Sequence, residues 1–294
     1  MIALFLDTET TGLDPAKDVL AEVGAVLVDC QGGAGRVLRT FTSLIHTGEA
    51  PFPEDAQRLT RLTPGLCNAH GVPLAAAVAT LQRMAAGAEC VVAWNAPFDR
   101  AFLEAAGFRA PLWVDAMRHI DWKALGASGL SQTMVLAEVG RAVNPCPHTV
   151  LGDVMGLVQL AMPWMDAAVE RAKLPHFWVS VFHSPYGSND ALKDAGFRWR
   201  AEKRVHEAYM LATEADALRL PDGCRWWVTD DALPVVPFVY VGAFGVNRED
   251  NDRLKSFAAF RWSREVGGFV AEVRQDVAED LCAAISEFCR AEVR

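Results

Sequence analysis

The stretch Ile2-Ala3-Leu4-Phe5-Leu6-Asp7-Thr8-Glu9-Thr10-Thr11-Gly12-Leu13 decides the fold. Its first five residues are apolar without a break, the pattern of a buried strand. Asp7 to Thr10 continues the strand, and Gly12-Leu13-Asp14-Pro15 turns the chain. Strand geometry has period two, so Asp7 and Glu9 point to the same face. A buried carboxylate without a partner is costly. Either that end of the strand is solvated or a bound cation compensates the pair.

Outward from this strand, Val19 to Asp29 and Val37 to Leu44 read as two more strands, joined by a hairpin turn at Gln31-Gly32-Gly33. Strands and helical stretches then alternate, which predicts an α/β layer fold. Leu74 to Ala86 carries Val78, Leu81 and Met84 on one helical face. Cys90 to Trp94 is a buried strand, and Pro97 to Ala106 is a helix with proline in its first turn. Leu112 to Val114 is a short strand. Further helices are expected from Ser131, as N-cap, through Val139, over His148 to Leu160, and over Met165 to Lys173.

The chain has 294 residues, 51% hydrophobic and 22% charged, with a net charge of -9. That is enough apolar material for a core and excludes disorder over most of its length. The acidic balance excludes a protein that coats nucleic acid by bulk charge, but not a nuclease whose acidic site holds metal ions. Seven cysteines without metal-site spacing read as reduced thiols, which predicts a cytoplasmic protein. The apolar start meets Asp7 with no basic leader, unlike a signal peptide, and no run of eighteen apolar residues predicts a membrane span.

Leu174-Pro175 reads as a boundary, giving domains of residues 1–174 and 175–294. Past it, Asn189-Asp190-Ala191-Leu192-Lys193 to Phe197-Arg198-Trp199 recurs as Asn251-Asp252-Arg253-Leu254-Lys255 to Phe260-Arg261-Trp262. This predicts an α+β domain with an internal duplication, as two β-α-β units over about 176–220 and 235–294. Phenylalanine and tryptophan are expected to be its core, with arginine snorkelling; stacking of Arg-Trp on single-stranded bases is the alternative. The local charge is acidic. Gln132-Thr133-Met134 looks like a clamp-binding peptide, but its place within a helix makes it a chance match.

Two further groups join Asp7 and Glu9. Trp94-Asn95-Ala96-Pro97-Phe98-Asp99 ends a strand and places Asp99 in the first turn of a helix, where the helix dipole alone could also explain it. His148-Thr149-Val150-Leu151-Gly152-Asp153 opens a later helix with histidine and aspartate five apart. In order and spacing, these three motifs resemble the DnaQ-like 3'-5' exonucleases of the DEDDh type, over roughly residues 1 to 170. Arg61-Leu62-Thr63-Pro64 and Asp115 also sit where family members have similar residues. The sister type has tyrosine in the third motif; here Tyr186, Tyr209 and Tyr240 all lie beyond the domain. One departure is Trp94, where the family usually has histidine; altered substrate packing is expected there.

The resemblance implies a ribonuclease H-like mixed sheet flanked by helices. It implies two divalent cations, Mg2+ or Mn2+, held by Asp7, Glu9, Asp99 and Asp153, with His148 as general base. Oxygen ligands suit those ions. Two ions about 3.5–4 Å apart serve phosphodiester hydrolysis by aiming the water and offsetting charge on the leaving oxygen. The terminal nucleotide would meet Thr8, Thr10, Thr11, Gly12, Leu13, Asn95 and Phe98. The expected reaction is release of nucleoside 5'-monophosphates from single-stranded DNA or a frayed 3' end. RNA trimming of the RNase T or oligoribonuclease kind is the alternative. A further alternative is a replication or repair subunit that acts mainly through a protein partner of residues 175–294.

Overall fold

The computed structural model describes residues 1–31, 35–185 and 187–294; Gly32 and Gly33 of the expected hairpin turn lie outside the described residues. The chain divides into two compact units, Met1–Leu174 and Pro175–Arg294. Among the described residues no helix is long and apolar enough to cross a membrane.

The first unit opens with strands β1 (Ile2–Thr10), β2 (Leu20–Asp29) and β3 (Arg36–Leu44). Helices α1 (Glu54–Thr60), α2 (Pro64–His70) and α3 (Leu74–Ala85) follow. Strand β4 (Cys90–Ala93), helix α4 (Ala96–Ala105), strand β5 (Trp113–Asp115) and helix α5 (Ala116–His119) come next. Helices α6 (Gln132–Glu138), α7 (Val150–Ala161) and α8 (Met165–Lys173) close the unit. Ser131 precedes α6 as expected, but its side chain makes no capping hydrogen bond.

The sheet runs β3-β2-β1-β4-β5. The first three strands are antiparallel, and β4 and β5 run parallel to β1. This is the ribonuclease H-like mixed sheet expected from the sequence. Alternation along β1 sorts its side chains between two layers. Ala3 and Phe5 pack with Val154 and Leu157 of α7. Leu4 and Leu6 pack on the opposite face with Leu81 of α3 and Leu103 of α4. Asp7 and Glu9 continue the odd series towards α7, whereas Thr8 continues the even series towards α4.

One glycine sets the distance between α7 and the sheet. Gly24 is the β2 partner of Asp7. A Cβ there would lie 2.8 Å from Val150 Cβ, in the first turn of α7. The missing side chain lets the helix start lie directly on the strand pair that carries the carboxylates.

The second unit contains two copies of one pattern. The first is β6 (His176–His183), α9 (Asn189–Asp194), β7 (Arg198–Arg200), β8 (Val205–Leu211), α10 (Ala212–Ala217) and β9 (Arg225–Thr229). The second is β10 (Phe238–Phe244), α11 (Asn251–Lys255), β11 (Arg261–Ser263), β12 (Gly268–Arg274), α12 (Gln275–Ile285) and β13 (Arg290–Val293). The sheets have equivalent orders, β7-β8-β6-β9 and β11-β12-β10-β13. Each copy is therefore a β-α-β-β-α-β unit, larger than the β-α-β expected, and the first extends to Thr229. Arg-Trp forms an edge strand of three residues, too short for a periodicity to reveal.

The expectation that the repeat tryptophans are core is corrected. Trp199 is 54% and Trp262 59% exposed, while Phe197 and Phe260 are buried beside Leu192 and Leu254. Each phenylalanine enters the core from the turn before the edge strand, and each tryptophan lies on that outer strand, whose first two residues are exposed in both copies.

Replacing Gly24 by alanine is expected to cost about 1–3 kcal/mol by overpacking. It should also displace the start of α7. Thermal melts check this; an equally stable G24A protein would contradict the close approach.

Candidate active site

Three elements bring the acidic residues together. Asp7 and Glu9 come from β1 just beyond its apolar run. Asp99 comes from the first turn of α4, and is 3% exposed. Asp153 comes from the first turn of α7.

Each helix start is fixed locally. Asn95 precedes α4 in the left-handed region at φ 71°. Its N–H donates to Asp115 Oδ1 at 3.2 Å, and its side-chain oxygen accepts from Arg118 at 3.2 Å. Arg118 also pairs with the buried Asp115. Thr8 Oγ1 donates to Asp99 Oδ1 at 2.7 Å, which ties α4 to β1. At α7, the Thr149 side chain caps the helix by accepting from the Gly152 N–H. Asn144 Nδ2 donates to Asp153 Oδ1 at 2.8 Å, and the His148 backbone N–H donates to Oδ2 at 2.9 Å. Both oxygens of Asp153 are thus held from the 144–148 loop. A Cβ on Gly152 would lie 2.3 Å from the Cys146 carbonyl, so glycine is needed where the loop folds onto the helix.

Among the described residues, Glu9, His148 and Asp153 form the one group of possible metal ligands with donor atoms within 4.8 Å of one another. His148 is exposed and has a left-handed backbone at φ 61°. Asp7 and Asp99 lie outside that triple but are electrostatically joined to it. Burial raises the Asp7 carboxyl well above its usual range, with further pushes from Asp99, Glu9, Asp153 and Glu22. Burial, then Asp153, Glu22 and Asp99, push Glu9 up to about 8. Burial pushes Asp99 up to about 7, against the stabilising hydrogen bond from Thr8. Asp153 is raised by burial, opposed by its contacts with His148 and Asn144. Such mutual repulsion among buried carboxylates is what a divalent cation relieves. The carboxylate oxygens of Asp7, Glu9, Asp99 and Asp153 suit a hard divalent ion, with the His148 imidazole beside them.

The nucleotide-pocket candidates divide. Thr8, Thr10 and Thr11 are buried. The Thr8 hydroxyl is engaged with Asp99, Thr10 Oγ1 donates to the Gly12 carbonyl at 2.5 Å, and Thr11 Oγ1 accepts from the Val19 N–H at 3.0 Å. Their side chains hold the strand end and the turn. A Cβ on Gly12 would lie 2.4 Å from the Asp18 carboxylate. Leu13, by contrast, is 84% exposed. Phe98 is half-buried, with its ring centroid 5.2 Å from that of Phe102. Trp94 packs against Trp122 at 5.5 Å and donates its indole N–H to the Leu130 carbonyl at 3.2 Å.

Sequence reasoning missed two residues. Glu22 faces Glu9 across the β1–β2 pair and is a fifth carboxylate near the site; burial raises it, against the Val150 N–H. Asn144 is a positioning residue for Asp153. An acidic residue in the second strand that pairs with the first acidic motif is the signal for Glu22. Asn144 carried no such signal.

Residues 4–126 match the RNase_T family, described as Exonuclease. That span includes Asp7, Glu9 and Asp99. No curated protein matches the chain. Among solved structures, exonuclease I, in work on how processivity is achieved, aligns at 17% identity and a TM-score of 0.49, over 61% of this chain and 48% of that one. The zinc-bound complex of E. coli exonuclease I with single-stranded DNA aligns at 18% identity and a TM-score of 0.49, over 61% and 47%. A 3'-exonuclease that recognises the 3' end of the histone mRNA stem-loop aligns at 13% identity and 0.47, over 56% and 81%. The chain spans about half the length of the exonuclease I chains it matches.

The raised carboxyls set a pH dependence. Their folded pKa values exceed the unfolded ones, so the native state holds protons that the unfolded chain has lost. Stability of the metal-free protein should therefore fall as pH rises from about 4, the unfolded carboxyl range, through about 7 and 8, the values for Asp99 and Glu9. Thermal melts in chelator across pH 5 to 8.5, repeated with Mg2+ or Mn2+, check this. The metal should remove most of the decline; a flat metal-free profile would contradict the electrostatics.

Proposed function

We propose, from the premise that the first unit is a DnaQ-like 3'-5' exonuclease domain, that the chain removes nucleoside 5'-monophosphates one at a time from the 3' end of DNA. The observation that carries this reading is the convergence of Asp7, Glu9, Asp99 and Asp153, each with its acidity suppressed by burial. Those four residues would hold two divalent cations, Mg2+ or Mn2+. When bound, the ions supply Lewis acidity that orients the attacking water and offsets charge on the leaving 3'-oxygen.

The chain's own residues do the rest. His148 lies within reach of the Glu9 and Asp153 carboxylates and would take the proton from the attacking water. Water adds to phosphorus, the bond to the 3'-oxygen breaks, and a 3'-hydroxyl remains on the shortened strand. The backbone bond from His148 to Asp153 makes the position of the base depend on a metal ligand. Leu13, projecting from the turn after β1, would press on the terminal base, while backbone groups of Thr10 to Gly12 line the sugar. Asn95 and Phe98 complete the wall from the start of α4.

DNA is the preferred substrate because Asp7-Thr8-Glu9-Thr10-Thr11-Gly12 stands closest to the proofreading branch of the family. The deciding assay digests matched 5'-labelled DNA and RNA single strands with Mg2+ or Mn2+. DNA should shorten from its 3' end faster than RNA. Asp7→Ala should abolish digestion. His148→Ala should keep binding but lose about 10²–10⁴-fold in turnover, the usual worth of a general base. Faster trimming of RNA would reassign the substrate, and a fully active His148→Ala protein would remove the histidine from the chemistry.

A further inference from the structure

The second unit encloses a cavity of about 390 Å³ between its two copies. That is within the usual range for small-molecule sites. Strands β6, β8 and β9 of the first copy form one wall, and α12 with the Phe257–Ala259 segment of the second copy forms another. The cavity belongs entirely to this unit and shares no residue with the acidic centre of the first.

Its wall combines flat rings with an unused cation. Trp199, Trp227, Phe238 and Phe257 contribute aromatic surface. Three arginines line it, and two are already paired: Arg204 with Glu272 at 2.6 Å, and Arg274 with Asp276 at 2.6 Å. Arg225 has no carboxylate partner among the described residues. Its guanidinium instead stacks over Phe257, 4.1 Å from the ring centroid. Its cross-strand partner on β6 is His183, whose buried Nε2 has no hydrogen-bond partner among the described residues. Burial and the adjacent Arg225 hold the His183 imidazole below its usual pKa. Among the described residues, an arginine without a carboxylate partner and a histidine Nε2 without a hydrogen bond thus line one recess.

A guanidinium presents a planar fork matched to phosphate, and half-buried it binds anions more strongly than at the surface. Aromatic faces accept nucleobases without regard to sequence. Asp280, the remaining acid in the lining without an ion pair among the described residues, offers an acceptor for an exocyclic amine. We infer that this cavity is a binding site for a mononucleotide, with the phosphate on Arg225 and the base against the aromatic wall. Under the nuclease reading of the first unit, such a ligand is what the reaction releases, so the second unit would retain or sense product. The site itself rests only on the geometry of the second unit.

The test uses the full chain carrying Asp7→Ala, in chelator, so that turnover at the first unit is irrelevant. Tryptophan fluorescence and calorimetry would follow titration with dAMP, dCMP, inorganic phosphate and a 5'-phosphorylated oligonucleotide. Saturable binding of a mononucleotide, weakened about tenfold or more by Arg225→Ala as for loss of a charge-assisted bond, is the expected result. His183→Gln gives a second variant should loss of the Arg225 stack on Phe257 unfold the unit, and it too should weaken binding. No saturable nucleotide binding, or binding indifferent to both variants, would overturn the assignment. Equal affinity for inorganic phosphate would reduce the site to an anion recess, and binding of the oligonucleotide alone would move the ligand to a strand end; either result overturns it as stated. If the mononucleotide binds while active protein digests neither DNA nor RNA, the site stands and the nuclease reading fails.

Discussion

Four carboxylates crowd the end of one buried strand, and their repulsion is the constraint that the first unit is built around. Left without a counter-charge, they can coexist only by staying partly protonated: burial raises Asp7, Glu9 and Asp99, and repulsion from the neighbouring carboxylates adds to it at Asp7 and Glu9. The fold must still press them close. It does so with contacts that lie outside the carboxylate cluster. The apolar run Ala3 to Leu6 anchors β1 in both layers, and bare Gly24 lets α7 settle on the strand pair. Packing energy elsewhere offsets the electrostatic cost at the strand end, the usual bargain at a functional site.

The two helices that bring Asp99 and Asp153 are held differently. Asp99 is fixed by structure that is itself buried: Thr8 from the sheet, and the Asn95–Asp115–Arg118 network at the helix start. Asp153 is fixed by a loop, through Asn144 and the His148 N–H. That loop includes Pro145 and Pro147, and its histidine has a left-handed backbone. A non-glycine residue in that region is uncommon, although histidine is tolerated better than most, and it persists where neighbours determine it. The bond from His148 to Asp153 is such a determinant. The exposed arm therefore carries the group proposed to move a proton, and the buried arm carries charge alone.

Much of the first unit was legible because its signals are local. Five consecutive apolar residues specify a buried strand, and Asp7-x-Glu9 on a period of two specifies a shared face. What the sequence did not reveal is the use made of each polar side chain. Thr8, Thr10 and Thr11 are placed at the nucleotide pocket by the family resemblance, which says nothing of what their hydroxyls do. In the fold their hydroxyls fasten Asp99 and the turn, and only Leu13 projects fully outward. Glu22 and Gly24 were opaque for a different reason. Their importance comes from the β1–β2 register, which pairs them with Glu9 and Asp7. In the second unit the repeated Asn-Asp and Phe-Arg-Trp segments exposed the duplication. Three-residue strands and the Arg225–Thr229 strand are too short or too aromatic to be separated from loop by pattern, so the size of each copy was not legible.

The duplicated copies show where a conserved backbone tolerates a change of chemistry. Arg204 and Gly267 occupy the same place in the β7–β8 and β11–β12 turns, and both have positive φ, 49° and 68°. Glycine adopts that conformation at little cost, and arginine does not. What offsets the cost at Arg204 lies across the unit: its guanidinium pairs with Glu272 and stacks 4.4 Å over Phe238, both in the other copy. The reverse link comes from Arg274, which stands where the first copy has Leu211, and which donates to the Lys203 carbonyl at 3.3 Å. Arg204 stands where the second copy has glycine and Arg274 where the first has leucine, and each guanidinium reaches the other copy, Arg204 by an ion pair and Arg274 by a hydrogen bond. The duplication has therefore diverged at the residues that join its halves. The cavity lies between those halves, so the same arginines that cost backbone comfort and apolar packing also keep its two walls together.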